Sequence, residues 1–90
     1  MTANELTVAG RRFRTQADYE AALRDQKRID LIKSETDLDN PKQLFDLFKE
    51  MQSGKYRFET VIGNDFDDEI FERIEKLKKQ GITAENAENI

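Results

Sequence analysis

The sequence predicts an α+β domain in which a small antiparallel sheet packs with three amphipathic helices, in the order ββααβα. Three observations carry that expectation. Apolar residues recur at helical spacing in the stretches 19–32, 44–51 and 66–77. Aromatic and β-branched residues alternate with polar ones from Tyr56 to Ile62. A shorter alternation flanks Ala9–Gly10 near the N-terminus.

The N-terminal run is the first element. Residues 1–4 are expected to fray. Leu6 and Val8 alternate with Thr7, Ala9–Gly10 supply a turn, and Arg12–Phe13–Arg14 return, which makes Glu5–Thr15 a hairpin. A lone hairpin is marginal in water, so the strand at Tyr56–Ile62 is its expected third partner. An all-helical fold with these runs as extended loops is the alternative.

Thr15 with Asp18 three residues on predicts a helix start, and the helix runs to about Ser34. Its apolar pattern is uneven. Tyr19 and Leu23 share a face, Ala22, Ile29 and Ile32 lie to one side, and Leu31 falls elsewhere. The helix therefore either touches two neighbours or breaks near Arg28. Asn40–Pro41–Lys42–Gln43 marks the second helix: Asn caps, Pro takes the first helical position, and Gln43 can bond back to the cap. Leu44, Leu47, Phe48 and Met51 form its stripe, and Gly54 ends it.

After the strand at Tyr56–Ile62, Gly63 offers a turn, and Asn64 or Asp65 can cap the third helix. Asp67, Asp68 and Glu69 then fall in its first turn, where negative charge meets the positive helix end. Phe66, Ile70, Ile74 and Leu77 make the apolar stripe, with Phe71 on its flank. Lys76, Lys78 and Lys79 approach the C-terminal end, and Gly81 is the stop. The domain thus spans 1–81, and 82–90 is expected to be a flexible tail held at most by Ile82.

Ninety residues make one small domain with a thin core, which a dimer partner or further protein could complete. No run approaches the roughly 20 apolar residues of a membrane span. The N-terminus lacks the pattern of a signal peptide. The chain has no Cys, so it has neither disulfides nor thiolate ligands. A cytoplasmic setting is the expectation.

The net charge of −4 is polarised: residues 10–33 sum to +3 and residues 35–75 to −7. The acids Asp65, Asp67, Asp68, Glu69 and Glu72 are the densest cluster. Their spacing does not match an EF-hand loop, and helix capping explains them without a ligand. No metal and no cofactor is assigned. The chain also has no His, no recognisable base near Ser34 or Ser53, and no glycine-rich phosphate loop. These features argue against an enzyme.

Arg11, Arg12 and Arg14 around Phe13 could contact nucleic acid by phosphate pairing and stacking. The acid-rich half could instead imitate a phosphate backbone. Both stand beside the plainer reading of a solvated charged exterior. YEAALRDQKRIDLIK (19–33) and YRFETVIGNDFDDEI (56–70) resemble short modules in proteins of bacterial integrative and conjugative elements. The resemblance implies a bacterial accessory protein and assigns no site residue. The leading expectation is a non-enzymatic protein–protein interaction module, with a protein partner or a second copy, acting through the acidic cluster and the three arginines. The alternative is a nucleic-acid-related role, as binder or mimic.

Overall fold

Five elements follow one another in the structure, a computed structural model that describes residues 6–87: β1 (Thr7–Val8), β2 (Arg11–Arg12), α1 (Gln16–Glu35), α2 (Pro41–Gln52) and α3 (Val61–Lys79). The α+β class holds at this level, with three helices and one small antiparallel hairpin. The order is ββααα, so the expected ββααβα is corrected. Glu5 and residues 1–4 and 88–90 lie outside the described residues.

The hairpin pairs Thr7 with Arg12 and Val8 with Arg11. Ala9 and Gly10 both take positive φ (51° and 78°), as a two-residue turn matched to strand twist requires. The amide of Phe13 donates to the Leu6 carbonyl at 2.7 Å and extends the pairing.

α1 is continuous, with no break at Arg28. Thr15 accepts the amide of Asp18 at 3.1 Å, the cap the sequence predicts. Ala22, Asp25, Ile29 and Ile32 are its buried residues, spaced as one face. In α2, Asn40 accepts the amide of Gln43 at 3.1 Å and Pro41 opens the helix. The Gln43 side chain reaches past the cap and accepts the amide of Asp37 at 2.8 Å.

Both glycine stops are Schellman motifs. Gly54 donates to Met51 and Lys55 to Glu50; Gly81 donates to Lys78 and Ile82 to Leu77. Beyond Gly81, Thr83 and Asn86 bond reciprocally, the Asn86 amide group donates to the Gly81 carbonyl, and Ala87 is buried. The expected tail therefore folds back through residue 87, while 88–90 lie outside the described residues.

The strand expected at Tyr56–Ile62 is not formed. Tyr56, Phe58 and Thr60 do face inward and Arg57, Glu59 and Val61 outward, because alternation is a property of extended backbone. The backbone donors, however, find a side chain rather than a strand: the amides of Glu59 and Thr60 both donate to Asp25. Thr60, not Asn64 or Asp65, caps α3 by accepting the amide of Ile62 at 3.2 Å. Gly63 is no turn residue either. It is buried within the first turn of α3, where an added Cβ would lie 2.1 Å from the Phe58 Cβ. Asp67, Asp68 and Glu69 consequently sit beyond the first turn, which carries no acid of its own.

α3 is the shared element, packing against both α1 and α2. Ile62, Phe66, Ile70 and Ile74 meet Ala22, Ile29 and Ile32 from α1 and Leu44, Phe45 and Leu47 from α2, with Val8 and Ala87 closing the ends of one cluster.

Candidate interaction surface

α3 distributes its acids around its circumference, because residues one or two apart point in different directions on a helix. Asp65 faces the hairpin. Its carboxylate takes a bidentate pair from Arg11, Nε to Oδ2 at 2.8 Å and Nη2 to Oδ1 at 2.6 Å. Hydrogen bonding to that guanidinium, with its charge, holds the Asp65 carboxyl below its ordinary range and raises the guanidinium. Glu69 lies between Lys33 at 3.4 Å and Arg73 at 3.7 Å. The Lys33 ammonium also stands 5.7 Å from the centre of the Phe66 ring.

Asp67 and Asp68 are placed differently. They line a groove of about 320 Å³ between α2 and α3 together with Phe48, Met51, Gln52 and Phe71. The Phe48 and Phe71 rings pack with centroids 6.2 Å apart and planes at 41°. Phe71 is still 50% exposed. Loss of hydration at the groove pushes the Asp67 carboxyl up, and the charge of Asp68 adds to it. Among the described residues no cation pairs with Asp67, Asp68 or Glu72. Glu72 borders a separate hollow with Leu38, Pro41, Arg73 and Lys76.

The eight residues singled out by sequence therefore do not form one site. Arg11 and Asp65 meet each other, 54 positions apart. Arg12 and Arg14 remain on the exposed hairpin side. Engagement of Arg11 by Asp65 weighs against the hairpin as a phosphate-binding element. The spread of the acids over several faces weighs against a phosphate-like row. Among the described residues no group of three or more acids is placed to hold a metal ion.

Sequence reasoning missed Asp25. It is 0% exposed and accepts from the Glu59 amide (2.9 Å), the Thr60 amide (2.8 Å) and the Thr60 hydroxyl (2.6 Å). The only local signal is its register with Ala22, Ile29 and Ile32. Nearby, Arg24 holds Glu59 by two bonds of 2.8 Å, and Arg28 donates to the Arg57 carbonyl. With its acceptors taken by three donors, Asp25 clamps the 57–60 segment to α1.

The outer side of α1 carries a second surface of opposite sign. Leu23, Lys27 and Leu31 follow one another at i, i+4 and i+8, and Leu31 is 58% exposed. Arg24 and Arg28 lie on their flank, and with Lys27, Asp30 and Leu31 they border an open, shallow hollow of about 570 Å³.

Comparison with family models, with curated proteins and with solved structures finds no match to this chain. No helix among the described residues is long and apolar enough to cross a membrane.

Proposed function

We propose that the chain is a non-enzymatic protein–protein interaction module that docks a partner in the α2/α3 groove. One observation carries the reading: Phe71 stays half-exposed against Phe48 beside two adjacent carboxylates that lack a cation. Such a site costs the free monomer apolar exposure and like-charge repulsion. A partner offering an apolar side chain next to a cation relieves both. The resemblance of 19–33 and 56–70 to modules of mobile-element proteins supports an accessory role in a bacterial cytoplasm. A fold held by caps, a small core and the Asp25 clamp needs no disulfide for that setting.

The test is photo-crosslinking in bacterial cells. A photoreactive phenylalanine analogue in place of Phe71 should capture a protein, and Asp68→Lys should abolish the capture. The same analogue at Glu85, on the exposed C-terminal turn, is the control. Equal capture from both positions, or none from position 71, would remove the docking reading.

A further inference from the structure

We infer that the occupant of the α2/α3 groove is the outer face of α1 from a second copy of this chain, joined head to tail. The inference rests on the docking reading above and names its partner. It comes from matching two surfaces of one molecule. The groove presents an apolar floor, Phe48, Met51 and Phe71, with Asp67 and Asp68 at its edge. The α1 face presents a complementary row, the exposed Leu23 and Leu31 with Lys27 between them, which forms a ridge along the helix; Asp30 lies beside it and accepts from the Gln26 amide group. Among the described residues Lys27 has no ionic partner, as Asp67 and Asp68 have none. The flanking guanidiniums are already placed: Arg24 by Glu59 and Arg28 by the Arg57 carbonyl. Glu59 balances the charge of Arg24, whereas Arg28, bonded to a carbonyl, adds positive field without having to be ordered on contact.

The geometry also decides the symmetry. α1 and α2 pack on α3, and the ridge is on the side of α1 turned away from that packing. The groove opens on the α2 flank. The two surfaces share no residue, and one contact leaves a free groove on one copy and a free ridge on the other. A contact between unlike patches grows into a chain or closes into a ring, whereas a two-fold dimer would bury the same patch twice. The interface is small, so association is weak, and the paired charges make it sensitive to salt.

Sedimentation of the full chain tests this. At low salt the average mass should at least double between about 10 μM and about 1 mM, the range of a weak complex. It should return to the monomer at about 1 M salt, where screening reaches about 3 Å. Lys27→Glu, which reverses only the ridge cation, and Phe71→Ala, which empties only the groove floor and leaves its acids to repel a glutamate, should each be monomeric. Mixed in equal amounts, they retain one intact groove and one intact ridge. The mixture should give species of two chains and nothing larger. A monomeric wild type, a wild type that stops at two chains, a single variant that still associates, or a mixture that stays monomeric would each overturn the inference. If wild type stays monomeric while position 71 captures a different protein, the docking groove stands and the second copy is excluded. If it captures nothing, both readings fall. Far-UV circular dichroism on each variant confirms that the helices are intact.

Discussion

The carboxylate of Asp25, in the middle of α1, receives both the amide and the hydroxyl of Thr60, the residue that caps α3. One side chain thus supplies negative charge at a helix start whose own first turn has none. Removing it leaves three donors without their partner. Asp25→Ala should cost about 2–4 kcal/mol, combining lost charge-assisted bonds with the penalty for buried unpaired donors. Thr60→Val should cost about 1–2 kcal/mol through the lost cap and hydroxyl. Urea unfolding of both variants and their double mutant checks this, and the pair should show clear coupling.

Gly63 and Phe58 form a second close relationship. Alanine normally favours a helix by about 1 kcal/mol over glycine. Here the added Cβ would meet the Phe58 Cβ at 2.1 Å. Gly63→Ala should therefore destabilise by about 1–3 kcal/mol, as overpacking does. With Phe58→Gly in place, which removes the Cβ it would strike, the same substitution should become neutral or stabilising. Thermal unfolding of the four proteins in the cycle measures the reversal.

Ala9 holds φ at 51° in the hairpin turn, where its Cβ is strained. Ala9→Gly should stabilise the domain by about 0.5–1 kcal/mol, the left-handed strain it relieves less the greater chain entropy that glycine loses on folding. Hydrogen exchange at the Phe13 amide should slow accordingly.

Acid should weaken the domain through its bidentate pairs. Asp65 and Glu59 have folded-state pKa values below their ordinary 3.8 and 4.5, through hydrogen bonds from Arg11 and Arg24. A depressed carboxyl pKa contributes stability above the unfolded value and loses it as pH falls through the folded one. The melting temperature should hold at pH 6–7 and drop on acidification below about pH 4.5, less steeply in Arg11→Ala and Arg24→Ala.

Asp67 behaves oppositely. Its pKa is raised, so its contribution is present below the unfolded value and lost as pH rises through the folded one. Asp67→Asn should raise the melting temperature at neutral pH, and the gain should vanish below about pH 3.8, the ordinary value. If the groove is a docking face, the same substitution should weaken docking while it stabilises the monomer.

Local chemistry was legible in the sequence. Thr15, Asn40, Pro41, Gly54 and Gly81 act within a few residues of themselves, and the helix ends they predict are present. The extended run at Tyr56–Thr60 was legible as conformation but not as pairing, because alternation does not say where the amides go. Their acceptor, Asp25, lies 34 positions away and disturbs an apolar stripe, so it registered as unevenness in α1. The acidic cluster looked like one feature because its members are adjacent in sequence. On a helix that adjacency disperses them, sending Asp65 to Arg11 and Asp67 to the groove.

Because the carboxylate that begins α3 belongs to α1, the boundary of one helix is written in another. A peptide of residues 53–87 alone would hold Thr60 but lack the anchor that fixes its amide and hydroxyl. Its helix would start raggedly, and adding a peptide of residues 6–35 in trans would restore a sharp beginning. The fold treats residues 25 and 60 as one junction, with everything between them as the span that brings its two sides together.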